Sequence, residues 1–253
     1  SVVITGFKEI EDKEYIQTAY TEWGASGLAG VWAENNTRQS IYNAFRRKET
    51  FATTGSRIKV RFFAGYEMDN ALNEEDPIAF AYSKGVTMGS DILESDGKAP
   101  SFLVWALRDI KRAPLDRVQV IKGWTDISGR TYEKVFDVAC SWGIAPDPKT
   151  NRCANNGAKV NLENCEISKN VGSNELKTIW KDPEFDPTIK AFYYVRVLEN
   201  PTCRWSTWDA LKSGNKPRSD IPSTIQERAW SSPIWYVPNF RGVTAANILP
   251  DDV

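Results

Sequence analysis

Residues 191–208, AFYYVRVLENPTCRWSTW, decide the fold. Alternation along the first half sets Phe192 and Tyr194 on one face and Val195 and Val197 on the other. A strand that is apolar on both faces belongs in the middle of a packed sheet, covered on each side. The strand breaks at Asn200-Pro201, places a cysteine at Cys203, and enters a helical pattern. Ser206 with Asp209 three residues on is a capping-box-like start, and Gly214 is the matching stop.

Strands accumulate outward from this stretch. Residues 57–64 (RIKVRFFA) put Ile58, Val60 and Phe62 on one face and lysine and arginine on the other. Residues 102–107 (FLVWAL) are apolar throughout, as a central strand is. Residues 117–124 and 132–139 read as a hairpin turning at 126–129, and 234–237 as the last strand. Helices are expected at 11–23, on Ile16, Ala19, Tyr20 and Trp23, and at 38–48. The second is capped by Thr37, with Ile41, Ala44 and Phe45 as its buried stripe. Ser173 or Asn174 caps a further short helix ending near Trp180, whereas 69–100 reads as polar turns and 141–174 as a long loop needing an anchor.

The fold class expected is therefore mainly β with some α: an antiparallel β-sandwich over residues 55–238. Residues 1–54 mix helix and short strand and are too few for a domain of their own. They read as the end of a domain whose beginning is absent, and 239–253 as a polar tail. The chain opens SVVITG, without Met or signal peptide, as a processed or truncated product would.

Totals narrow the chemistry. The net charge of -1 gives no long-range pull toward nucleic acid, and no apolar run is long enough to span a bilayer. Ten tryptophans favour a β-rich scaffold or a stacking surface. Histidine is absent altogether, which excludes His-ligated zinc or iron and any Ser-His-Asp or Cys-His arrangement. The four cysteines form no C-x-x-C and cluster in a loop-rich region, pointing to disulfides and an exported, periplasmic or secreted protein. Three pairings exist. The one expected is Cys153 with Cys165, closing a small loop, and Cys140 with Cys203.

Five segments, taken together, resemble a bacterial family, domain-of-unknown-function family three-six-zero-four. They are GLAGVWAENNTRQSIYNAFRRKETFATTGSRIKVRFFAG, PSFLVWALRD, APLDRVQVIKGW, FYYVRVLENPTCRWSTWDAL and IQERAWSSPIWY, in that order over most of 27–236. Members look like exported or envelope-associated proteins of more than twice this length. Their N-terminal part is similar to the polymerase-and-histidinol-phosphatase (PHP) superfamily of metal-dependent hydrolases. The resemblance implies that residues 1–54 are the last elements of a PHP-like α/β barrel. A divalent metal is then implied for an upstream half, and no metal ligand or catalytic residue is carried onto this chain.

The expected function is thus the C-terminal portion of an exported PHP-like hydrolase of the phosphoester or ester class, inactive alone. The alternatives are a Trp-rich module binding carbohydrate or an envelope ligand, and a purely structural domain. Its expected partner is the missing half or a second copy of the chain. Candidate substrate contacts are Glu34, facing the lost barrel; Arg57, a fork donor for an anion; and the pairs Arg204-Trp205 and Arg228-Ala-Trp230. Glu227 is a further candidate contact, and Glu199 and Glu227 are the obvious carboxylate partners for those arginines.

Overall fold

The structure, a computed structural model, describes residues 7–10, 12–16, 23–24, 26–126 and 128–239. The strands begin with β1 (Phe7–Ile10), β2 (Lys13–Ile16), β3 (Leu28–Val31), β4 (Thr50–Thr53) and β5 (Lys59–Gly65). Then come β6 (Val86–Thr87), β7 (Asp91–Leu93), β8 (Ser101–Leu107), β9 (Leu115–Thr125), β10 (Thr131–Cys140) and β11 (Glu175–Lys181). The last are β12 (Ala191–Glu199), β13 (Thr202–Cys203), β14 (Thr224–Ile225), β15 (Arg228–Ser231) and β16 (Ile234–Val237). Three α-helices interrupt them: α1 (Arg38–Arg46), α2 (Pro77–Lys84) and α3 (Trp205–Lys212).

Two sheets pack face to face. The larger has the order β10-β9-β12-β15-β4-β3, with β16 beside the first part of β12 and β7 beside β16. The smaller has the order β11-β8-β5-β6. All pairings are antiparallel except β7 with β16. The expected mainly β, sandwich-like architecture is what the chain adopts, and β12 is central, flanked by β9 on one side and by β16 and β15 on the other.

Period-two patterning builds the core. Val60, Phe62 and Ala64 of β5, with Phe102, Val104 and Ala106 of β8, face Tyr193, Val195 and Val197 of β12 and Val118 and Val120 of β9. The Phe102 ring stacks on Phe62 at 5.7 Å and meets Tyr193 of the opposite sheet at 4.5 Å. Each fully buried ring contributes a few kcal/mol through apolar area removed from water. The outer face of the small sheet is also covered: Phe63 and Leu103 pack with Met68, Ala71 and Ala81 of α2. On the large sheet's outer face the tip of the Phe192 ring occupies the space over Gly123, where an added Cβ would approach it to 2.2 Å.

The structure corrects several local expectations. Residues 13–16 form a strand paired with 7–10 instead of part of a helix over 11–23, and residues 17–22 lie outside the described ones. Residues 175–181 are a strand along β8, not a helix; Leu176, Ile179 and Trp180 mimic helical spacing, but pairing with β8 prevails. Residues 77–84, expected as turn, are a helix whose Asp76 side chain accepts from the N–H groups of Ile78 and Ala79. In α1 the Thr37 cap is present, but Phe45 is exposed and Ala44 alone is buried. The C-terminal helix begins at Trp205, one residue before the expected Ser206 cap, and Gly214 (φ +67) follows it as expected.

The disulfides also differ from the expected pairing. Cys140 joins Cys153 and Cys165 joins Cys203, so Cys153–Cys165 and Cys140–Cys203 do not form. Cys140 ends β10 while the backbone at 151–153 folds back on Asp137, which brings Cys153 to the near end of that strand. Cys165 is thereby left to tie the far part of the loop to β13. Residues 239–253 were expected as tail; beyond 239 they lie outside the described residues.

Candidate functional site

The site lies at one end of the sandwich, where β12 and β15 part. There the Glu199 N–H donates to the Glu227 carbonyl at 2.9 Å, and the Gln226 amide donates to the Glu199 carbonyl at 3.1 Å. β13 and β14 then pair as a short ribbon, and the Cys165–Cys203 bridge fastens it to the long loop. Helix α3 starts directly from this ribbon, its Thr207 hydroxyl donating to the Ser223 carbonyl at 2.8 Å.

Between α3 and the loop after β8 opens a cleft of about 300 Å³. Its chemistry comes from Arg112, Arg204, Trp205, Trp208, Lys212 and Glu227, with Asp209 beside them. Trp205 and Trp208, one helical turn apart, are each about two-fifths exposed. Trp205 Nε1 and Arg204 Nη2 both donate to the Trp23 carbonyl, at 2.9 and 3.1 Å, so the first turn of α3 is held in place. The Lys212 ammonium sits 5.5 Å from the Trp208 ring centre. Three cationic side chains thus face two carboxylates around two indole rings.

Beside the cleft, where β12 and β15 part, burial changes the electrostatics. Glu199 is fully buried, and neither of its carboxyl oxygens has a hydrogen-bond partner. Burial pushes its carboxyl up to about 8, and the charges of Glu227 and Asp109 push the same way. The Ser56 hydroxyl and the Arg112 charge oppose the shift without cancelling it. Although Ser56 faces Glu199, the two do not close a hydrogen bond of normal geometry. Glu199 is therefore a neutral acid near pH 7 unless a cation joins it. Burial would raise Asp109 as well, but there the N–H groups of Arg57 and Lys111 outweigh it and hold the carboxyl low.

Of the residues singled out from sequence, Arg204, Trp205 and Glu227 line this cleft together. Arg57 does not line it; its backbone N–H donates to Asp109 at 2.9 Å. The Arg228 guanidinium is turned back to the Gln226 carbonyl at 3.2 Å and does not line the cleft. Glu199 was expected to pair with an arginine, yet its carboxyl meets none.

Glu34 lies elsewhere, on a second cleft of about 580 Å³ with Trp32, Arg47, Glu49, Arg61, Tyr82 and Thr87. Glu34 is exposed, 3.5 Å from Arg47. At the base, buried Glu49 accepts from Tyr82, from Thr87 at 3.3 Å and from Arg47 at 3.3 Å, while Arg61 stacks 3.5 Å over the Trp32 ring. That network is closed: the carboxylate is satisfied and one face of the indole is covered. The first cleft has unmatched groups and open ring surface, and it is the better candidate.

Sequence reasoning missed Arg112, Trp208 and Lys212, which sit in turn and helix positions with no pattern of their own. Glu199 did carry a signal. It falls on the inward parity of β12, in register with Tyr193, Val195 and Val197, where a carboxylate is out of place.

No grouping of three or more His, Cys, Asp or Glu side chains fit to hold a metal occurs among the described residues. With all four cysteines in disulfides and no histidine, the chain offers a metal neither a thiolate nor an imidazole ligand.

Searches of curated proteins and of solved structures found no match. A family model described as "Protein of unknown function (DUF3604)" matches residues 5–238, nearly the whole chain. The chain belongs to that family.

Proposed function

We propose that this chain supplies the ligand-contacting C-terminal part of an exported bacterial PHP-like metal-dependent hydrolase acting on phosphoesters or related esters. The observation that supports this most is the α3 cleft, where Arg112, Arg204 and Lys212 surround the exposed indoles of Trp205 and Trp208. Guanidinium and ammonium groups suit an anionic oxygen cluster, and indole faces suit a ring carried next to it. The metal chemistry belongs to residues outside this chain. What this chain does is bind and orient: cations hold the charged group, and the indoles hold the remainder. Two disulfides accord with an oxidising compartment outside the cytoplasm.

Tryptophan fluorescence titrations test the reading. A sugar phosphate and an aryl phosphate are expected to bind at least tenfold more tightly than the uncharged parent molecules, with no turnover by this chain at added divalent metal. Metal-dependent hydrolysis by residues 1–253 alone would overturn the division of labour. Equal binding of neutral sugars would favour a carbohydrate-binding module instead, using the same two indoles.

A further inference from the structure

Among the described residues, every buried side-chain oxygen without a hydrogen-bond partner belongs to one of three residues: Ser56, Glu199 and Glu227. They are not scattered. Backbone pairing at 2.9 Å joins Glu199 to Glu227, and the Ser56 hydroxyl faces the Glu199 carboxyl. Ser56 is 1% exposed and Glu199 0%, so bulk water does not satisfy them.

The other buried carboxylates show what this chain ordinarily does. Asp137 accepts from Gln119, Arg117 and the Cys153 N–H; Asp182 accepts from Lys122, Tyr193 and the Glu184 N–H. At the Ser56–Glu199–Glu227 seam the one hydroxyl turned toward Glu199, that of Ser56, does not close a bond of normal geometry, and no cationic side chain bonds either carboxyl oxygen of Glu199. Asp109 stands close by, but its two oxygens are occupied by the Arg57 and Lys111 N–H groups.

We propose that Ser56, Glu199 and Glu227 hold one hard divalent cation, calcium or magnesium, at the seam where β12 and β15 part, beside the α3 cleft that Glu227 also lines. The donors are all oxygens, two of them carboxylates, which suits ions that favour oxygen and fill remaining positions with water or backbone carbonyls. A cation there gives Glu199 the direct counter-charge that the more distant Arg112 does not, and it offsets the repulsion from Glu227. It also joins the ends of β12 and β15 to the turn after β4. The site stands independently of any ligand reading for the cleft.

The test starts from residues 1–253 stripped of metal with a chelator, then titrated calorimetrically with calcium chloride or magnesium chloride. One equivalent of at least one ion is expected to bind, and the unfolding midpoint to rise by about 5 °C or more at saturation. Glu227→Gln, at a half-buried position that tolerates the change, is expected to weaken binding at least tenfold, as is Glu199→Gln. Ser56→Ala should weaken it less, and Glu34→Gln not at all. The proposal is overturned if neither ion binds or shifts the midpoint, or if Glu227→Gln binds as the unaltered chain does. Either result would mean that a proton or a buried water satisfies the seam.

Discussion

Glu199 and Glu227 are joined main chain to main chain at 2.9 Å where β12 and β15 part, and both carry carboxyl oxygens buried without a hydrogen-bond donor. Burial first, and then the neighbouring Glu227, make the charged form of Glu199 costly there unless something positive joins it. The consequences are measurable.

The first concerns pH, in chelator-treated protein. Glu199 titrates near 8 when folded, against an ordinary value of 4.5. Between those values the unfolded chain has lost the proton that the folded chain keeps. Stability therefore falls as pH rises from about 4.5 to about 8 and levels off above, by at most about 1.4 kcal/mol per pH unit. Glu199→Gln should flatten this dependence and make the protein more stable at pH 7.5. Chemical denaturation across pH 4.5–8.5 checks the sign.

The second concerns the disulfides. Bridges spanning 13 and 38 residues are worth about 3 and about 4 kcal/mol respectively on chain-entropy grounds. Replacing Cys165 and Cys203 with alanine should cost the larger amount and also weaken ligand binding, because Cys203 lines the α3 cleft. Replacing Cys140 and Cys153 should lower stability with little effect on the cleft. Non-reducing peptide mapping, thermal melts and binding titrations of the two variants separate these effects.

The third concerns a buried ion pair. The Lys122 ammonium donates to Asp182 at 2.5 Å and to the Glu184 carbonyl at 2.7 Å, while Tyr193 donates to Asp182 at 2.8 Å. Lys122→Met alone leaves a buried carboxylate short of its counter-charge and should cost about 3–5 kcal/mol. Lys122→Met with Asp182→Leu should cost clearly less than the sum of the single changes. A double-mutant cycle by denaturant unfolding measures the difference.

Much of the fold was legible because period-two alternation reports sheets directly. Residues 57–64 and 191–197 carry that pattern, 102–107 carry the unbroken apolar run of a central strand, and 117–124 with 132–139 read as a hairpin; pairing bears all of them out. The edge strand 175–181 was not legible. Its apolar residues fit both periods, and only the exposed edge of β8 decides between them. Helix α2 did have a start signal, Asp76 followed by Pro77, which also opens a turn. Cysteine connectivity cannot be read from spacing at all. Of the cleft, the Arg204-Trp205 pair and Glu227 were visible as residue types. Arg112 was not, since it arrives from a loop some ninety residues away, and only tertiary structure brings it there.

The central claim is that the α3 cleft binds an anion through Arg112 and Lys212 beside two indoles. Its most direct measurement is calorimetric binding of a sugar phosphate to the unaltered chain and to the Arg112→Gln, Lys212→Gln double variant. Both side chains are on the surface, so folding should be preserved. The account predicts affinity at least tenfold lower in the variant and a weaker dependence on salt. Unchanged affinity and unchanged salt dependence would contradict it.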